Sequence, residues 1–119
     1  MRFVELYKTE KDEDKEKHIP HIEIDKEHKS GSDIVRVVVG PGEAHPNTIG
    51  HHIAWIELFG VMKENNRVLH IGRADCAPVF FNPNARFQIN QIEDFSSFHA
   101  LPSCNIHGLW ANSLERTTG

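Results

Sequence analysis

The chain has 119 residues, enough for one hydrophobic core and too few for two. Hydrophobic residues make up 39% and charged residues 25%, which excludes an intrinsically disordered chain. Thirteen Lys and Arg against seventeen Asp and Glu leave a net charge of −4, which argues against a general nucleic-acid binder.

In chain order, the opening MRFVELYK carries no apolar signal core before charge sets in. No apolar run approaches the roughly 20 residues that span a bilayer. The expectation is a cytoplasmic protein without membrane contact. Residues 8–17, KTEKDEDKEK, are charged at nine of ten positions and predict a solvated segment. From there onward apolar residues fall at strand spacing. Residues 21–25 (HIEID) alternate, and residues 34–39 (IVRVVV) form a β-branched run stopped by Gly40-Pro41-Gly42. Residues 53–59 (IAWIELF) are nearly continuously apolar, and the following Gly60 with a second run at 67–71 favours strand over helix. Residues 63–66 (KENN) predict the hairpin turn between those two runs. The same arrangement is expected again for Val79-Phe80-Phe81, a turn at Asn82-Pro83-Asn84, and residues 87–90. Residues 98–101 and Leu109-Trp110 close the series. Short strands at this spacing predict one all-β domain over residues 1–119, an immunoglobulin-like antiparallel β-sandwich.

Histidine is the outlier in composition, at nine residues, and it is the commonest metal ligand. Two cysteines, Cys76 and Cys104, are too few for a disulfide scaffold or a four-cysteine site. Three clusters interrupt the strand pattern: Glu16-Lys17-His18-Ile19-Pro20, His45-Pro46-Asn47-Thr48-Ile49-Gly50-His51-His52, and Cys104-Asn105-Ile106-His107-Gly108-Leu109-Trp110. Each falls at a strand end or in a loop, where rigid scaffolds carry function. Cys104 and His107, three apart, can face one centre across a tight turn that Gly108 would permit, and amides after the cysteine could donate to its sulfur. His45 and His51 converge only if the segment folds back, for which Pro46-Asn47 is a turn signal. Of the adjacent pair, His51 is expected to face the centre and His52 the opposite side. His18 completes a set of four imidazoles and one thiolate.

Structural zinc sites close at four ligands with more sulfur than this. Blue-copper sites use two histidines, one cysteine and a weak methionine. Five donors of this mix suit a metal with an open sixth position, and imidazole with thiolate suits iron.

In order and spacing, the three clusters together with Trp55-Ile56-Glu57-Leu58 resemble superoxide reductase in its one-iron neelaredoxin form. The resemblance runs from Glu16 to Trp110. The larger desulfoferrodoxin relatives carry an additional four-cysteine iron domain, and the cysteine count excludes it from these residues. The resemblance implies iron held by His18, His45, His51 and His107 in a plane with Cys104 axial. It implies that Glu16 binds the vacant position in the oxidised resting state. It further implies reduction of superoxide to hydrogen peroxide without dismutation, electrons from a rubredoxin-type donor, and a homotetramer. The Lys17 ammonium would strengthen the local attraction for the anionic substrate. At about 6 Å that attraction is roughly 0.7 kcal/mol at the dielectric of water and about 2.8 kcal/mol at an effective 20. Trp55 and Trp110 are expected in the core or the wall of the site. Competing readings are a redox-silent zinc protein built on the same cluster, a Cys104 nucleophile activated by His107, and a purely binding sandwich domain.

Overall fold

A computed structural model describes residues 1–13, 15–27 and 32–116. Among the described residues, eight strands run β1 (Pro20–Glu27), β2 (Ser32–Val39), β3 (Ile53–Met62), β4 (Val68–Asp75), β5 (Asn84–Asn90), β6 (Phe95–Cys104), β7 (Gly108–Leu109) and β8 (Asn112–Glu115). A short α-helical turn, α1 (Lys15–His18), precedes them, and 3-10 turns lie at Phe3–Glu5 and Ile92–Asp94. One sheet has the order β1-β2-β5 and the other β4-β3-β6-β7, with β8 also paired to β6. All strand pairs are antiparallel. This is the expected immunoglobulin-like sandwich.

Period-2 burial explains why these segments are strands. In β2, Val35, Val37 and Val39 point into the core while the residues between them are only partly covered. They meet Ile56 and Leu58 of β3 and Phe98 and Ala100 of β6 in one cluster. Each large apolar side chain buried there contributes about 1.5–3 kcal/mol. The hairpin turn at residues 63–66 is present, with Asn66 at φ 59°, a conformation that asparagine tolerates. Gly60 is required by packing: a Cβ there would lie 2.6 Å from the Phe95 ring.

Two expectations fail. Val79-Phe80-Phe81 is a turn and not a strand, and β5 pairs with β2 in the opposite sheet. Pro78 removes a donor just before the segment, and the Asn47 side chain captures the backbone beyond it. Asn47 Oδ1 accepts from Val79 N at 2.8 Å, and its Nδ2 donates to the carbonyls of Val79 and Phe81 at 3.3 and 3.2 Å. Val79 thereby sits at φ 74°, which a β-branched residue adopts only when its surroundings impose it. The charged stretch 8–17 is solvated along most of its length but is not featureless. Lys8 forms a parallel bridge to Trp110, and residues 15–18 make the helical turn.

Candidate metal centre

Three connections at one end of the sandwich carry the chemistry. The helical turn α1 delivers His18 immediately before β1; residues 45–51 lie between β2 and β3; Cys104 ends β6 and His107 lies in the turn to β7. His18, His45 and Cys104 are buried and His51 is half-buried. One donor atom from each of these four lies within 4.8 Å of every other. His107 stands beside them, its Nδ1 3.1 Å from His18 Nε2 and 3.6 Å from Cys104 Sγ. Its ring centroid is 5.0 Å from that of His51. At transition-metal bond lengths of about 2.0–2.3 Å, two donors on one ion lie between about 3 Å and about 4.6 Å apart. The 4.8 Å spread lies within a few tenths of an ångström of that range, so a small adjustment of the side chains would close the group on a single ion.

The nitrogens agree with that reading. His45 Nδ1 donates to the Pro46 carbonyl at 2.6 Å, so Nε2 carries the lone pair. That Nε2 and the Nε2 of His51 are buried without a hydrogen-bond partner. Leaving such a group unmade costs about 1–3 kcal/mol, and two of them sharing one centre call for a cation. Burial lowers the His45 pKa to about 4 against the opposing Pro46 hydrogen bond, and the charges of His18, His51 and His107 push the same way. Burial also lowers the pKa of His51, with His107, Lys17 and His52 adding repulsion. Both rings are therefore neutral at neutral pH, the form that ligates metals.

The sulfur is prepared as the sequence suggests. The His107 amide donates to Cys104 Sγ at 3.3 Å, and Gly108 takes φ 81° to complete the turn. Both cysteines are free thiols, so no Cys76–Cys104 bridge forms. Cys76 packs in the core and is not among the convergent donors, and burial together with Asp75 pushes its thiol up to about 11.

Of the remaining candidates, Lys17 is part-exposed with its Nζ 3.6 Å from Glu43 Oε1. Glu16 is exposed on the same turn of α1 and stands outside the convergent donors. His52 donates through Nδ1 to the Thr48 carbonyl, 3.0 Å away, and is not among the convergent donors. The fold-back between His45 and His51 is made by reciprocal backbone bonds of Thr48 and His51 at 2.9 and 3.2 Å, one turn later than Pro46-Asn47 suggests.

Trp110, expected in the core or the site wall, is buried and stacks on His18 with centroids 4.6 Å apart and planes 9° from parallel. Other supporting contacts escape a sequence reading. Lys8 lies over the same indole at 5.6 Å. Asn105 joins two loops: its Oδ1 accepts from His52 N at 2.8 Å and its Nδ2 donates to the Gly50 carbonyl at 3.0 Å. Asn47 and Asn105 each sit next to or near a candidate ligand in a loop, where asparagine characteristically bonds backbone. That position is the one signal that could have found them.

The chain resembles known proteins over nearly its whole length. The sequence profile of desulfoferrodoxin matches residues 10–113. A superoxide reductase of Pyrococcus abyssi is 38% identical over 105 residues, covering 84% of this chain and 87% of the relative. The neelaredoxin of Megalodesulfovibrio gigas is 32% identical over 126 residues, covering 95% of both. Among solved structures, the superoxide reductase (neelaredoxin) of Archaeoglobus fulgidus in the reduced form aligns with a TM-score of 0.82 at 35% identity, covering 95% of this chain and 99% of that one.

Proposed function

The chain belongs to the desulfoferrodoxin family, and on that premise we propose that it is a superoxide reductase acting as a single iron-binding domain of the neelaredoxin type. The observation that carries the reading is the group of donor atoms from His18, His45, His51 and Cys104 within 4.8 Å of one another, with His107 adjoining. These five residues would hold the iron. Iron bound there supplies the one-electron step of the balanced reaction, in which superoxide, one electron and two protons give hydrogen peroxide.

The residues divide the remaining work. Neutral imidazoles leave the positive charge of the metal uncompensated except by the Cys104 thiolate, so an anion is drawn to the centre despite the net charge of −4. The buried position of Cys104 keeps water from its sulfur, and the His107 amide steadies the negative charge. Lys17 adds a cation at the rim. Glu16, exposed on the same helical turn, would supply a carboxylate to the iron in the oxidised resting state. A rubredoxin-type donor delivers the electron, and a homotetramer in the cytoplasm completes the proposal.

The decisive experiment loads the protein with iron and measures peroxide formed per superoxide consumed under excess reductant, with oxygen release followed in parallel. One peroxide per superoxide without oxygen is expected. Half that yield with oxygen means dismutation, and a colourless protein carrying zinc and turning nothing over would establish the redox-silent alternative. For Lys17→Ala, capture of superoxide should slow by about 3- to 100-fold with a flatter ionic-strength dependence, the span set by an effective dielectric between that of water and 20. Pulse radiolysis at several salt concentrations measures both, and an unchanged rate removes Lys17 from the steering role.

A further inference from the structure

The loop between β2 and β3 does more than present His45. It turns sharply at Gly40, whose φ of 69° and tight surroundings bring the backbone against α1: a Cβ there would lie 3.1 Å from the Lys17 carbonyl oxygen and 2.6 Å from that of Glu43. The turn therefore places Glu43 beside Lys17, and their side chains meet at 3.6 Å. Both side chains are partly exposed, so the contact is weak and exchanges readily with solvent. It nevertheless pairs the rim cation with an anion only two residues from a proposed ligand. The predicted steering charge is therefore met by a local counter-charge that the sequence alone does not reveal.

We propose that Glu43 is a positioning residue that holds the Lys17 ammonium aside and moderates how strongly the centre attracts a small anion. The inference deepens the role given to Lys17 above and rests on it. Releasing the ammonium lets it swing toward an incoming anion, while the carboxylate remains the partner when none is present. A centre that must admit superoxide and release a product has reason to limit its affinity for other small anions.

The test compares Glu43→Gln, Lys17→Ala and the double variant in the iron-loaded protein, with azide as the probe. Azide affinity is read from the visible spectrum of the oxidised protein, independently of turnover, and superoxide capture is read in parallel. Glu43→Gln should tighten azide binding and quicken capture by about 2- to 5-fold at low salt, the range open to an exposed ion pair. The same change in the Lys17→Ala background should have no effect, because the residue acts through lysine. An equal gain in both backgrounds would show a direct field of Glu43 and overturn the positioning role, as would an unchanged or weakened affinity in the single variant. If Lys17→Ala alone alters neither readout, the steering role of lysine fails first, which separates that failure from this one. Iron content and the position of the visible band, unchanged in Glu43→Gln, exclude a merely structural disturbance.

Discussion

Cys104→Ser is expected to bleach the sulfur-to-iron charge-transfer colour of the oxidised, iron-loaded protein and to cost more activity than the roughly 10- to 100-fold typical of losing a supporting residue. The argument is local. Cys104 is 2% exposed at the end of β6, its sulfur receives the His107 amide, and it is the one cysteine in the convergent donor group among the described residues. A serine hydroxyl there is the right size but a much poorer anion, and the buried position admits little solvent to replace the lost ligand. Visible absorption and iron analysis of the variant provide the check. A retained band of normal intensity would remove Cys104 from the metal.

Gly40→Ala should lower iron affinity by about 10- to 100-fold while leaving the sheets intact, although the residue touches no metal. An L side chain at φ 69° costs about 1–2 kcal/mol. The added Cβ would also meet the carbonyl of Glu43 at 2.6 Å and both His45 N and the Lys17 carbonyl at 3.1 Å. All three are backbone atoms and cannot rotate away, so either α1 or the segment leading to His45 must move. Two of the three connections that build the centre would then separate. Gly42→Ala is the matched control, because a Cβ there meets nothing within 4 Å. Competition against a metal chelator measures the affinity, and amide hydrogen exchange in β3 and β6 reports the sheets. Wild-type iron retention in Gly40→Ala would show that the loop adapts and that the close approach is not needed.

The strands that a sequence reading finds are those whose burial alternates or whose β-branched residues run together, as in β2 and β3. It misplaces Val79-Phe80-Phe81 because composition there is strand-like while the decisive contact comes from Asn47, 32 residues away. It passes over β8 because NSLE carries no β-branched residue, and pairing with β6 alone makes it a strand. The candidate ligands are legible for a different reason: histidine and cysteine are scarce enough in such positions that their clustering stands out. Their supports are not legible. Trp110 can be placed in a wall from its size, but its parallel stack on His18 depends on two chain segments 92 residues apart. Glu43 looks like any surface carboxylate until the Gly40 turn sets it against Lys17.

The thiol and the imidazoles are not held by equally stiff parts of the molecule. Cys104 terminates a ten-residue strand with partners on both sides, whereas His45 and His51 ride on a connection whose own backbone bonds are few. Warming should therefore loosen the centre unevenly, with the nitrogen side fraying while the sulfur stays in place. The weakest link in keeping a metal there would then be the tether of one loop, so engineering a hardier protein would begin with that loop and leave the interior between the two sheets alone.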